Sequence, residues 1–581
     1  MHDLVIRGGL IVDGNGGSPF AGDVAVDGRR IVAVGDDVGA GRREIDARGQ
    51  LVTPGWVDIH THYDGQATWD PYVSPSGWNG VTTAVMGNCG VGFAPAKQDR
   101  HQWLIELMEG VEDIPGTALA AGIDWTWESF PEYLDALERM PRGVDVGAQV
   151  PHGAVRAYVM GDRGAHNEKA SAEDIRQMAA ITREALMAGA LGFSTSRTIL
   201  HRSKSGELVP GTVAGDEEVL GIGAALGEAG HGVFEVASDF APERAEVAPE
   251  RSEIQWMREL SRRTGRPVTF ACLQNDLSPD QWQRLLAYAQ EDAASGGHIT
   301  PQVAARPAGL LMGLQSSLHP FITHPSYRKL AELPLPERLA RLREPAIRAA
   351  ILAEGPLSNS PVASMLLAAF HKLFPLGDPP DYEPPPERSV AALAQRQARD
   401  PAEVAYEMLL EDEGRALLYF PLLGYSNGNF DDLRSMMLHP QAVFGLSDGG
   451  AHCGLICDAS VPTYLLTHWV RDRSRGERLP LEFVVRAQTR NTAALYGLHD
   501  RGVLAPGMKA DLNVIDLDAL RIGPPEMVHD LPAEGRRLVQ EIEGYRATVL
   551  SGEVTFEAGE ATGALPGTLI RGPQSAARAM R

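Results

Sequence analysis

The 581-residue sequence predicts an α/β fold, a TIM-like (β/α)8 barrel with a small β-sandwich domain formed by both chain ends. Three patterns predict it. Between about Thr53 and Arg490, short apolar runs alternate with helical periodicity, as parallel βα units require. Both ends of the chain read instead as strands joined by tight turns. Several polar residues fall just where the apolar runs stop, the strand ends at which such barrels place their chemistry. The boundaries this predicts are 1–52 for the first part of the sandwich and 53–495 for the barrel, which carries a helical insertion at about 330–431. Residues 496–581 supply the second part of the sandwich and a C-terminal extension.

Each element has its own justification. Leu4-Val-Ile-Arg, Gly9-Leu-Ile-Val-Asp and Asp23-Val-Ala-Val-Asp-Gly-Arg-Arg-Ile-Val-Ala-Val alternate around Asp-Gly and Gly-Asn-Gly-Gly turns, as hairpins do. Ala510-Asp-Leu-Asn-Val-Ile-Asp and Ala547-Thr-Val-Leu-Ser-Gly-Glu-Val-Thr-Phe repeat that pattern at the other end. The barrel strands are expected at Gly55-Trp-Val-Asp-Ile, Val81 to Met86, Val144 to Val150, Ala190 to Ser194, Gly232 to Ala237, Pro267 to Ala271, near Ile299 to Val303, and at Val443 to Asp448. Leu330 to Asp431 reads as helices broken by Asp378-Pro-Pro-Asp-Tyr-Glu-Pro-Pro-Pro, an insertion over the barrel mouth.

Charge and cysteine usage narrow the function classes. With 53 basic and 76 acidic side chains the net charge is −23, and no basic run tracks a phosphate backbone, which argues against nucleic acid and anionic membranes as partners. Four cysteines in so long a chain make no disulfide framework and point to a reducing compartment. The opening residues lack a signal-peptide pattern, and no apolar run reaches the roughly 18 residues of a membrane span. The expectation is a cytoplasmic protein acting on a small molecule, with homo-oligomerisation left open.

Chemistry concentrates in four places. In Thr53-Pro-Gly-Trp-Val-Asp-Ile-His60-Thr-His62 two histidines one residue apart project to one side of an extended segment, so both reach one small volume. That is a metal-ligand geometry, although isolated His-x-His pairs are often simply solvated. Met86-Gly-Asn-Cys89-Gly-Val-Gly places a thiol at the next strand end within a glycine frame; a thiolate is a good zinc ligand, and a buried structural cysteine is the bland alternative. Ser447-Asp448-Gly-Gly-Ala-His452 ends the last strand with a carboxylate suited to proton transfer, or to a helix N-cap. After the third strand, His152 and Arg156 can reach the mouth, with Arg156 alternatively a surface residue.

Together these motifs resemble the D-aminoacylase (N-acyl-D-amino-acid deacylase) branch of the amidohydrolase superfamily. The resemblance rests on Pro54 to Gly65, Gly87-Asn-Cys89-Gly, His152-Gly-Ala-Val-Arg156, Gly189-Ala-Leu-Gly-Phe-Ser-Thr, Ser447-Asp448-Gly and Arg501 to Leu512, which span nearly the whole chain. It implies a metal-bearing hydrolase barrel, with His60 and His62 as first-strand ligands and Cys89 where other superfamily members carry a bridging carboxylated lysine. It also implies Asp448 as the general acid/base. Two departures stand out. The family's fifth- and sixth-strand histidines correspond to Ala237 and about Cys272, leaving Glu235, Asp239 and Cys272 as candidate substitutes. The lysine that helps hold the substrate carboxylate corresponds to Gln274.

The resulting expectation is a metal-dependent hydrolase of a C–N bond in an N-acyl amino acid or related amide, with a metal-activated water and Asp448 moving the proton. His60, His62, Cys89 and Asp448 would hold one Zn²⁺ per chain, or another divalent metal. His152, Arg156, Arg197, His201, Gln274 and His452 are the candidate substrate contacts. Two alternatives are the same site acting on a cyclic amide, lactone, ester or carbamate, and a non-catalytic binding scaffold.

Overall fold

The computed structural model describes residues 1–241, 249–355 and 367–576. Its centre is a parallel sheet of eight strands in sequential order: β1 (Trp56–Asp58), β2 (Val81–Met86), β3 (Asp145–Pro151), β4 (Gly192–Arg197), β5 (Val233–Ser238), β6 (Val268–Ala271), β7 (Ile299–Val303) and β8 (Val443–Phe444). The sheet closes on itself just past its ends. Thr61 bridges Gly449 in parallel, His62 N donates to Gly449 O at 2.8 Å, and Asp448 N donates to His60 O at 3.1 Å. All eight expected strands are present. The last is shorter than its apolar run, because Leu446 adopts a left-handed φ of 60° and the chain leaves the ladder after Phe444.

Pleating decides which side chains see the barrel interior. On β4 and β5, Phe193 and Phe234 face outward, and Phe234 meets Trp256 of the covering helix Glu250–Thr264. Ser194, Ser196, Glu235 and Ala237 therefore face inward. The low end of the interior is filled by Val57, Ile59, Val85, Val233 and Val443, with Leu498 and Ile570 from the C-terminal part of the chain.

Both chain ends contribute to a nine-stranded sheet in which Leu51–Pro54 pairs with His2–Ile11 on one side and Leu512–Ile515 on the other. Leu4, Ile6, Val24, Val52, Leu512, Val514 and Val549 meet there in one apolar cluster. A buried ion network ties this sheet to the barrel: Asp145 of β3 accepts from Arg501 at 2.7 Å and lies 2.8 Å from Lys509. Between β7 and β8, a small sheet of Ala308–Met312, Leu418–Leu423 and Phe374–Pro375 packs with helices such as Leu335–Leu342 and Pro401–Leu409 into a separate apolar cluster. Within the expected 330–431 insertion, residues 356–366 lie outside the described residues, as do 577–581 at the end of the chain. Among the described residues, no helix is long and apolar enough to cross a membrane.

Candidate metal centre and active site

The ends of β1, β2 and β8 bring four donor groups together. His60, His62 and Cys89 are buried and place ligating atoms within 4.8 Å of one another. His60 Nε2 lies 3.4 Å from Cys89 Sγ and 3.3 Å from Asp448 Oδ1, and His62 Nε2 lies 3.6 Å from the same carboxylate oxygen. Tetrahedral zinc bonded to nitrogen and sulfur at roughly 2.1 and 2.3 Å separates its ligands by about 3.4–3.7 Å, so these spacings suit one such ion.

Local sequence explains how each donor is aimed. Asp58 at the end of β1 accepts from His60 N at 3.2 Å and from Ser447 Oγ at 2.6 Å, joining the first strand end to the last. The Asn88 amide donates to Thr61 O at 3.1 Å and to Val85 O at 3.0 Å, which fixes the turn carrying Cys89. Cys89 has a φ of 55°, a left-handed conformation costly for a side-chain-bearing residue, and its N–H donates to Glu235 Oε2 at 2.8 Å. Gly90 is required next to it, because a Cβ there would come within 2.7 Å of Ser196 N. The two imidazoles are oriented through their other nitrogens: His60 Nδ1 is 3.1 Å from Gln302 Oε1, and His62 Nδ1 is 3.3 Å from Glu112 Oε1.

Electrostatics divide the cluster. Burial drives His60 down to about 4, keeping it neutral as a ligand must be. Burial opposes charge on His62 as well, but Glu112 and Asp448 outweigh it and raise this histidine to about 9. Burial also opposes ionisation of Asp448, yet His62 and His60 hold its carboxyl well below the usual carboxylate range. Burial pushes the Cys89 thiol well above its ordinary value, reinforced by Glu235, Glu112 and Asp448. Burial and the neighbouring carboxylates thus favour the protonated thiol, and a divalent ion held by His60, His62, Cys89 and Asp448 would supply the positive charge that favours the thiolate.

The candidate substrate contacts separate into two groups. His201 and His452 adjoin the donors: His201 is half-buried, bonds Ser196 Oγ at 3.0 Å and is pushed down to about 3 by desolvation and then by His452 and His62. His152, Arg156 and Arg197 lie elsewhere, and the pleat explains why. Thr195 and Arg197 share the outward face of β4 with Phe193. His152 bonds Thr195 Oγ1 at 2.8 Å and Glu218 at 3.0 Å, Arg156 bonds Glu218 at 2.7 Å, and Arg197 pairs with Glu253 at 2.7 Å. Arg156 and Arg197 are thus spent on buried ion pairs, helix to helix and strand to helix, and His152 on buried hydrogen bonds beside them. Gln274 is likewise committed, donating to Asp432 at 2.6 Å and accepting from Ser426 N at 3.0 Å, so it fastens the segment before β8 to the loop after β6.

The substitutes suggested for the fifth- and sixth-strand histidines do not join the cluster. Asp239 caps Ile199 N at 2.8 Å, and Cys272 packs outward in the main apolar core. Pairing of Val236 with Phe270 puts Ala271, one residue before Cys272, beside Ala237. Two methyl groups therefore line that part of the interior. Glu235 is inside, but beneath Cys89 and bonded to its backbone; burial raises its carboxyl to about 8. Sequence reasoning missed Gln302 and Glu112. Gln302 carries no sequence signal, whereas Glu112 falls on the buried stripe of its helix, four residues after Met108, where a carboxylate is out of place.

Residues 43–556 match the model of the Amidohydrolase family. The chain belongs to the amidohydrolase family. It is 28% identical to an N-acyl-D-aspartate deacylase of Alcaligenes xylosoxydans xylosoxydans over 98% of this chain and 95% of that protein. An N-acyl-D-glutamate deacylase of the same organism is 27% identical over 89% of this chain and 88% of its own length. Among solved structures, a D-aminoacylase superposes with a TM-score of 0.63 at 22% identity, covering 98% of this chain and 99% of that one, and so shares the fold.

Proposed function

We propose that this amidohydrolase is a metal-dependent hydrolase of a C–N bond in an N-acyl amino acid or a related amide. The observation that carries the reading is the convergence of His60, His62, Cys89 and Asp448 at the mouth, two imidazoles, a thiol and a carboxylate at ligand spacing. One divalent ion, zinc by this donor set, would act as a Lewis acid toward the amide carbonyl and acidify the attacking water. Asp448 accepts the proton from that water and passes it to the leaving nitrogen. His452 and His201 border the same space and are the groups placed to meet substrate, while the methyls of Ala237 and Ala271 leave room on the β5–β6 side.

A second reading is supported by Gln274. Its amide is spent on Asp432 and Ser426, so it offers a substrate carboxylate no cation, and the same centre then suits amides without a free α-carboxylate, cyclic amides among them. The domain division at 52 and 495, with both chain ends in one unit, belongs to this proposal. So does a cytoplasmic location, which fits four buried cysteines that form no disulfide. Purified protein assayed against N-acyl-D-, N-acyl-L- and cyclic amides, with zinc determined on the same sample, tests the reading. Amide turnover that is lost on chelation supports it, and the absence of turnover across all three sets opposes it.

A further inference from the structure

We infer that Glu112 is a positioning residue of this centre, fixing His62 with Nε2 turned toward the other donors and drawing His452 to the rim. The inference rests on the proposed metal centre. The helix His101–Glu112 buries Leu104, Ile105, Leu107, Met108 and Val111, and Glu112 is the one carboxylate among its buried residues. The side chain is 1% exposed, and an ionised group so placed is costly unless it is paired. Helix electrostatics do not explain it either, since a negative charge at a helix C-terminus is unfavourable.

Its partners do explain it. Oε1 lies 3.3 Å from His62 Nδ1, an ion-pair distance, and neither atom has a hydrogen-bond partner among the described residues, so each is the group left to answer the other. Oε2 lies 3.6 Å from His452 Nε2, and the backbone carbonyl of Glu112 accepts from His452 N. The next residue secures the same junction: Asp113, at a φ of 51°, accepts from Gly454 N and from Ser317 Oγ, each at 3.0 Å. Two consecutive acidic residues thus fasten the end of this helix to the loop after β8. With an ion bound and His62 neutral, Glu112 facing Nδ1 would favour the tautomer protonated there, leaving the Nε2 lone pair toward Asp448 and the cluster. A carboxylate behind a ligating imidazole also raises its basicity, and removal of such partners typically costs about 10–100-fold in metal affinity.

The test compares full-length wild type with Glu112→Gln and Glu112→Leu, measuring zinc affinity by chelator competition and the visible absorption of cobalt-loaded protein. Glu112→Gln keeps an oxygen acceptor but no charge, and is expected to weaken zinc binding about tenfold and shift the cobalt bands. Glu112→Leu removes both and should approach a hundredfold; if it fails to fold, the glutamine variant still decides. Wild-type zinc affinity together with an unchanged cobalt spectrum in Glu112→Gln overturns the role of Glu112 alone. Absence of zinc and cobalt binding by the wild type overturns the metal centre and this inference with it.

Discussion

Replacing Asp448 by Asn leaves the size of the side chain nearly unchanged and removes its negative charge, and with it the capacity to take a proton. The backbone that carries it is held independently, by Asp448 N donating to His60 O at 3.1 Å and by Ala451 N donating to Asp448 O at 2.9 Å, so the turn survives. An amide oxygen can still occupy the position 3.3 Å from His60 Nε2, and His60, His62 and Cys89 remain as three donors, the usual protein complement of a catalytic zinc. What is lost is general acid/base help, worth about 10²- to 10⁴-fold, or roughly 3–5 kcal/mol of barrier. The assay is kcat and kcat/KM on an amide turned over by the wild type, with zinc content and melting temperature measured on the same preparation. Equal falls in both constants at retained zinc mark an interaction made in the transition state. A variant that keeps its zinc and works within threefold of wild type would refute the assignment.

Three other outcomes follow from the same structure. Arg156→Ala leaves Glu218 buried without its guanidinium, so it should destabilise the fold by about 3–5 kcal/mol in denaturant unfolding, while the KM of whatever folds stays within twofold. A large KM change at unaltered stability would return Arg156 to the site. Asp145 is buried, yet Lys509 and Arg501 overcome that burial and hold its carboxyl well below the usual range. Its folded value is depressed, so its contribution to stability is complete above the unfolded value of about 4 and is lost as pH falls below it; Asp145→Asn should flatten the acid limb of a stability–pH curve, and an unchanged limb counts against the network. Simple N-acetyl-D-amino acids should be poor substrates, because Gln274 gives their carboxylate no charge; kcat/KM of about 10⁴ M⁻¹s⁻¹ or more on N-acetyl-D-glutamate would show a carboxylate site elsewhere.

The fold was legible because its signals are local. Eight apolar runs bounded by turn residues gave eight strands, and the hairpin patterns at both ends gave one joint sheet. The metal-ligand candidates were legible for the same reason, since His60, His62, Cys89 and Asp448 each end a strand. Direction and register were not local. Arg197 also ends a strand, but pleating turns it outward with Phe193, and the fifth-to-sixth strand register moved the relevant position from Cys272 to Ala271. His152 and Arg156 follow a strand and look like mouth residues until Glu218, sixty-odd positions later, takes both. Gln302 and Glu112 act across 242 and 50 positions of sequence, separations at which a motif carries no information.

Metal content tests the central claim most directly. Elemental analysis of wild-type protein, purified without chelator, should give one zinc or other divalent ion per chain, because the β5–β6 side offers two alanines where further ligands would be needed. The double variant His60→Ala, His62→Ala should bind none and show no activity while the barrel remains folded, since a catalytic ion in a domain of this size is seldom what holds it together. Active wild-type protein without bound metal would contradict the account.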